Sequence, residues 1–224
     1  MKAFISYSTK DKKHGAAVKA ALEKFQIKSF LAHNDLRVSE EWKNRILQEL
    51  EECDIFIPLL SKEFSKSKWC DQETGISVNR GAVLIIPLSL DGTVPYGFIS
   101  HIQSHKIAET GIDAEILLDA IGTKFPAAAI DALLGQVRRD ANSFRAAEAV
   151  IEPLAPYFDR FSKNQARDFA EIATKNGQIW DASLCYSDYL PKFLATNRAN
   201  LTGRAYKALK YQIEKHKWFP TGTP

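Results

Sequence analysis

An α/β domain followed by an all-helical one is the architecture this sequence predicts, on three observations. Short β-rich runs alternate with amphipathic helical segments up to about residue 124. Two of the runs, DIFIPLL at 54–60 and AVLIIPLSL at 82–90, are apolar almost throughout, as strands buried on both faces of a parallel sheet require. From Ala127 onward no convincing strand pattern recurs, and the apolar spacing is helical.

The elements follow in order. Ala3–Ser8 reads as a strand. Lys12–Phe25 reads as a helix, with Val18, Leu22 and Phe25 on one face. Ile27–Ala32 is a second strand. A polar segment at 33–41 leads into a helix on which Trp42, Ile46, Leu50 and Cys53 share a face, with Ser39 as its expected cap. Asp54–Leu60 is the third strand and Lys68–Asn79 the next helix, which Gly81 can terminate. Ala82–Leu90 is the fourth strand, a weak strand falls near His105–Ala108, and a helix covers Ala114–Ile121. Pro58 and Pro87 conflict with central strand positions, because proline has no N–H for the ladder. Five parallel strands with right-handed crossovers make a doubly wound, flavodoxin-like sheet.

The second half reads as helices at roughly 127–139, 142–160 (bent or broken at Pro153 and Pro156), 164–175, 178–196 and 203–217. A charge shift supports a boundary that gives domains 1–124 and 125–224. The first carries 16 Lys and Arg against 17 Asp and Glu, the second 14 against 10. Most of the excess sits in Arg198, Arg204, Lys207, Lys210, Lys215 and Lys217.

Composition excludes several classes. At 224 residues, 45% apolar and 25% charged, the chain can bury a sizeable core. No apolar run approaches the ~20 residues that span a bilayer, and MKAFISYS lacks the apolar core of a signal peptide. Cys53, Cys70 and Cys185 are odd in number and far apart, which suggests neither a disulfide framework nor a zinc ribbon. A cytoplasmic protein is the expectation. His101 and His105 are four apart but lack a third metal ligand, so no metal site is expected. Phosphate-loop, dinucleotide-binding and nucleophile-elbow motifs do not occur. Cys70 has no histidine partner visible in sequence and reads as a packing residue. The basic segment 204–218 interleaves tyrosines with lysines. It reads as an amphipathic helix burying Tyr206, Leu209 and Ile213 rather than as a nucleic-acid surface.

Topology alone points to a ligand site. Doubly wound sheets bind ligands beyond the carboxyl ends of the strands, where strand order switches between the first and third. Those ends are Tyr7 to Thr9 and Leu60 to Lys62, with a loop running on into SKWCDQE at 67–73.

Four pieces together resemble a bacterial-type Toll/interleukin-1 receptor (TIR) domain over residues 1–124. They are FISYS at 4–8 with Asp11, DLRVSEEW at 35–42 (the BB loop), CDIFIPLLS at 53–61, and SKWCDQE at 67–73. Ser39 stands where such domains usually carry glycine. The resemblance implies an NAD⁺ glycohydrolase of the Thoeris-like antiphage type, with a catalytic glutamate in a W-x-x-x-E pattern. By that match Glu73 is catalytic and Trp69 lines the nicotinamide side. Tyr7, Ser8 and Asp11 from the first loop, and Leu36, Arg37, Val38 and Ser39 from the BB loop, lie near the nucleotide.

That chemistry suits these residue types. Losing nicotinamide builds positive charge on the ribose, which a carboxylate stabilises and an indole face shields. The resemblance implies no metal and no cofactor, since NAD⁺ is the substrate and its pyridinium already a good leaving group. It further implies homo-oligomers through TIR–TIR contacts and a downstream effector protein that senses the product, ADP-ribose or a cyclic isomer. The helical domain would serve oligomerisation or regulation. The alternative is a non-catalytic TIR module that recruits partners.

Overall fold

Residues 2–6, KAFIS, form the strand β1 on which the sheet is built (Lys2–Ser6), buried along nearly its whole length. The computed structural model describes residues 1–32, 42–108 and 112–217 of the chain. These fall into two compact units, Met1–Lys124 and Phe125–Pro224. The first continues with α1 (Lys12–Lys24), β2 (Lys28–Leu31), α2 (Trp42–Glu52), β3 (Ile55–Leu60) and α3 (Lys68–Asn79). It ends with β4 (Leu84–Ile85), β5 (Leu88–Ser89), β6 (His105–Lys106) and α4 (Ala114–Lys124). Every pairing is parallel and the order is β2-β1-β3-β5-β6, with β4 also on β3. The fold is the doubly wound α/β sheet that the sequence predicts, flanked by helices.

Register decides what each face carries. Phe4 pairs with Phe30 of β2 and Phe56 of β3, and the three rings touch at centroid distances of 5.4 and 5.9 Å. They form the floor of a core closed by Ile46, Leu50 and Cys53 of α2, with Ile76 of α3 against it. Strand side chains alternate, so Ser6 lies on the same face as Phe4, one pleat nearer the strand's carboxyl end. The other face meets α1, where Gly15 lets the helix close on Leu31 and Tyr7. A Cβ there would stand 2.9 Å from Leu31 Cδ1.

The expected fourth strand, Ala82–Leu90, is instead two short pieces, and the prolines explain it. Leu84 and Ile86 donate to Asp54 and Phe56 at 2.9 and 3.0 Å. The even-numbered residues of β3 therefore turn their main chain toward this neighbour, and Pro58 among them has no N–H to return. Pairing resumes at Leu59 with Leu88, past Pro87. Pro87 in turn faces β6, where it needs only its carbonyl, which accepts from His105 at 3.0 Å. Gly81 adopts φ +60° just after α3, as its expected role requires. Arg80 Nη1 donates to the Leu50 and Cys53 carbonyls at 2.5 and 2.7 Å and so closes the end of α2. The expected Ser39 cap lies outside the described residues.

The second unit is helical throughout its described residues: α5 (Pro126–Asp140), α6 (Phe144–Ile151), α7 (Lys163–Lys175), α8 (Gly177–Trp180), α9 (Leu190–Thr196) and α10 (Gly203–Lys217). A 3-10 turn over Ala155–Arg160 follows α6, consistent with the predicted break at Pro153 and Pro156. The single helix expected at 178–196 is not continuous. Pro191 cannot return an N–H to Ser187, and the chain widens into a π turn over Cys185–Tyr189 before α9. Ser162 and Gln165 form a reciprocal capping box on α7. The core is an aromatic cluster of Phe158, Phe161, Phe169 and Phe193, with Phe169 and Phe193 at 4.6 Å. Buried Asn197 donates to the Phe158 carbonyl at 2.7 Å. On α10, Leu209 and Ile213 are buried while Lys207 and Lys210 face solvent.

Phe169→Ala removes one of four rings that all contact one another and opens the closest pair. It is expected to destabilise the protein by about 3–5 kcal/mol in chemical denaturation; a loss under 1 kcal/mol would show that the cluster does not organise this unit.

Candidate active site

The helix α3 buries an unusual stripe. Its core-facing residues are Cys70, Glu73 and Ser77, at the i, i+3, i+7 spacing where a packing helix carries apolar side chains. Ser67 caps the helix, its hydroxyl accepting from the Cys70 amide at 3.4 Å. The cap starts the helix one turn before Glu73, so the glutamate faces the sheet while Trp69 projects from its rim. Glu73 is only 3% exposed. Ser6 Oγ donates to Glu73 Oε2 at 2.5 Å, across from the end of β1.

Burial pushes the Glu73 carboxyl up to about 7, and the Ser6 hydroxyl acts in the opposite direction by stabilising the charged form. Glu49 is the informative contrast. It too is buried, but Lys2 and Arg45 stand 2.5 and 2.6 Å from its oxygens. Among the described residues no cation pairs with Glu73. Burying an acid without a nearby counter-charge costs stability, and a carboxyl perturbed in this way is a candidate functional group. Cys70, beside it, is held up to about 11 by burial and stays a thiol, as the packing reading expects.

The surrounding loops are tied to one another. Ser8 opens a 3-10 turn at Thr9–Asp11, and the Asp11 carboxylate accepts from Ser61 Oγ at 2.6 Å, joining the ends of β1 and β3. Asp91, after β5, accepts from Thr93 and from the Lys62 amide, which hold its carboxyl at about 2. Tyr96 donates to Asp71 of α3 at 2.7 Å. The loop beyond presents Val94 and Phe98, 71% and 75% exposed.

At the rim, Trp69 meets Trp42, the first residue of α2. Their ring centroids are 4.4 Å apart and the planes are inclined at 71°, edge to face. Both are substantially exposed, at 40% and 45%. Trp42 therefore does not join the buried face of Ile46, Leu50 and Cys53 that helical spacing predicts. It sits at the helix start, one turn beyond the core they build.

The structure thus brings Glu73 and Trp69 onto one helix, with Ser8 and Asp11 in the adjoining loop. Tyr7 is turned away. It follows Ser6 in the alternation, so its ring is buried against Gly15 of α1 on the other face. Leu36, Arg37, Val38 and Ser39 lie outside the described residues. Sequence reading missed Ser6 and Trp42. Ser6 was recoverable by counting two residues on from Phe4, whereas Trp42 was hidden by its own periodicity. His101 and His105 fall in a turn and in β6, and the described residues contain no cluster able to hold a metal.

A doubly wound α/β domain with a buried acid beside its switch point, without a cation partner among the described residues, is the class these observations define. A TIR domain model matches residues 3–117, just over half of the chain, and the chain belongs to the TIR domain family. A similar solved structure is the TIR domain of the Toll-related receptor TRR-2 from the lower metazoan Hydra magnipapillata. The match is 21% identical over 48% of this chain and 85% of that one, with a TM-score of 0.43. No curated protein matches the chain.

The burial of Glu73 makes stability depend on pH. With its carboxyl raised from the ordinary 4.5 to about 7, the favourable protonated form is complete below 4.5 and is lost as pH rises through 7. Glu73→Gln should therefore gain stability over wild type, by on the order of 2–3 kcal/mol at pH 8 and little at pH 4.5. Thermal midpoints at both pH values measure this. A difference that does not widen with pH contradicts it.

Proposed function

We propose that this chain cleaves NAD⁺ at the nicotinamide–ribose bond, giving nicotinamide plus ADP-ribose or a cyclic isomer, with Glu73 as the catalytic residue. The observation that carries the proposal is the buried Glu73 carboxyl, hydrogen-bonded to Ser6 and without a cation partner among the described residues. Its natural counter-charge is one that a ligand brings. NAD⁺ supplies a pyridinium in the ground state and an oxocarbenium-like ribose as the bond breaks. The arriving cation favours the ionised acid, so a carboxyl poised near 7 loses its proton on binding and then faces the developing charge. Cys70, next to the carboxyl and packed with Phe64 and Ile99, lowers the local polarity and strengthens that attraction.

In this reading the chain acts in bacterial antiphage defence of the Thoeris-like type, in the cytoplasm, and its product signals to an effector protein. TIR–TIR contacts assemble the active form, and the helical unit oligomerises or restrains it. No helix among the described residues is long and apolar enough to cross a membrane. The second reading, a non-catalytic TIR interaction module, draws support from Val94 and Phe98, exposed on a loop anchored to α3 by Tyr96. Such a surface suits contact with another domain.

The test is to incubate concentrated protein with NAD⁺ and separate the products by chromatography, wild type beside Glu73→Gln. Wild type should release nicotinamide at a rate per chain that rises with protein concentration. The variant should be slower by about 10²–10³-fold. Equal rates would remove Glu73 from the chemistry, and no cleavage by wild type at any concentration would favour the interaction module.

A further inference from the structure

We propose that Trp42 and Trp69 form an aromatic corner that takes the positively charged pyridinium ring of the substrate, with Trp42 a specificity-determining residue. The inference rests on the NAD⁺ reading of the same site. It starts from an anomaly of burial. Trp42 shares its helical spacing with Ile46, Leu50 and Cys53, which are all buried, yet it remains 45% exposed. Its ring contact among the described residues is with Trp69, which is 40% exposed itself. Two adjoining indoles left half in water form an apolar patch that folding alone does not require.

Position gives the patch its meaning. Trp69 and Glu73 are four residues apart on α3, and side chains at that spacing lie one above the other, with Cβ atoms ~6 Å apart. The indole pair therefore stands about one helical turn from the buried acid. The edge-to-face contact sets the electropositive edge of one ring on the electronegative face of the other, which fixes their planes at 71°. A pair locked at that angle offers a flat ring both a face to stack on and a wall to abut. Among the described residues no cation lies over either indole, although Arg45, Arg198 and Lys215 cover other aromatic rings. An electron-rich indole face with no cation over it among the described residues, one helical turn from a buried carboxyl, suits a flat cation. Within NAD⁺ that group is the pyridinium, not the adenine.

The contact also bridges two helices. Trp42 opens α2 and Trp69 belongs to the first turn of α3, so the corner exists only while both helix starts hold their places. Loss of Trp42 removes one wall and leaves Trp69 free to turn.

Binding is best read without turnover, in the full chain carrying Glu73→Gln. The probes are NAD⁺, nicotinamide mononucleotide and ADP-ribose, titrated by calorimetry. Adding Trp42→Ala should weaken NAD⁺ and nicotinamide mononucleotide by about tenfold and leave ADP-ribose unchanged. Trp42→Phe should restore most of the loss, because a ring is retained. Thermal midpoints of the two Trp42 variants show that each is folded. Unchanged NAD⁺ affinity in Trp42→Ala overturns the proposal, and so does an equal loss for ADP-ribose, which would place Trp42 on shape rather than on the charged ring. The two readings fail separately. Cleavage abolished by Glu73→Gln with Trp42→Ala binding normally removes the corner and keeps the reaction. Binding that follows Trp42 in a chain that never cleaves NAD⁺ keeps the corner and removes the reaction.

Discussion

One carboxyl group held out of water, with no counter-ion among the described residues, is the constraint around which the first unit is arranged. Glu73 occupies a position that, on an ordinary packing helix, a leucine would fill. The sheet beneath it is apolar up to Phe4 and Phe56 and turns polar only at Ser6, where the helix brings the acid down. The Ser6 hydroxyl provides one hydrogen bond, enough to orient the carboxylate but not to neutralise it. The same unit holds a second buried glutamate, Glu49, with two cations upon it. The fold is therefore able to neutralise a buried acid, and at Glu73 no described residue does so.

The elements around the site hold that arrangement in place at the carboxyl end of the sheet. Pro58 and Pro87 interrupt pairing between β3 and its outer neighbour at one level. Above that level the loops are joined by side-chain hydrogen bonds instead: Asp11 to Ser61, Asp91 to Lys62 and Thr93, and Asp71 to Tyr96. Three carboxylates around the site thus take donors from neighbouring loops, while Glu73 takes its hydrogen bond from Ser6 of β1. At the rim, the Trp42–Trp69 contact links the start of α2 to the turn that carries Glu73.

Much of this was legible from residues alone, because the signals were local. Alternating apolar runs set the strands, and the order of a doubly wound sheet located the mouth at SKWCDQE. The family resemblance then singled out Trp69 and Glu73. What escaped depended on facing and on long-range pairing. Tyr7 and Ser6 are neighbours in sequence, yet pleating sends one to α1 and the other to α3, and no composition rule says which. Trp42 fits an apolar helical stripe and still ends up at the rim, since a period identifies a face but not how far the core extends along it. The fourth strand broke where the proline conflict was visible in sequence, but its partner, Pro58 on the opposing strand, became apparent only with the register. In the second unit, the helix expected over 178–196 broke for a residue that had gone unweighed, Pro191.

The account turns on the ionisation of Glu73, which carbon-13 NMR of glutamate-labelled protein reads directly, with Glu73→Gln assigning the resonance. Glu73 Cδ should titrate with a midpoint near 7, far above exposed glutamates. Ser6→Ala should move the midpoint higher still, because the hydroxyl that favours the charged form is gone. A midpoint near 4.5, or one that Ser6→Ala leaves in place, would contradict the claim that this acid is buried, unpaired and held by Ser6.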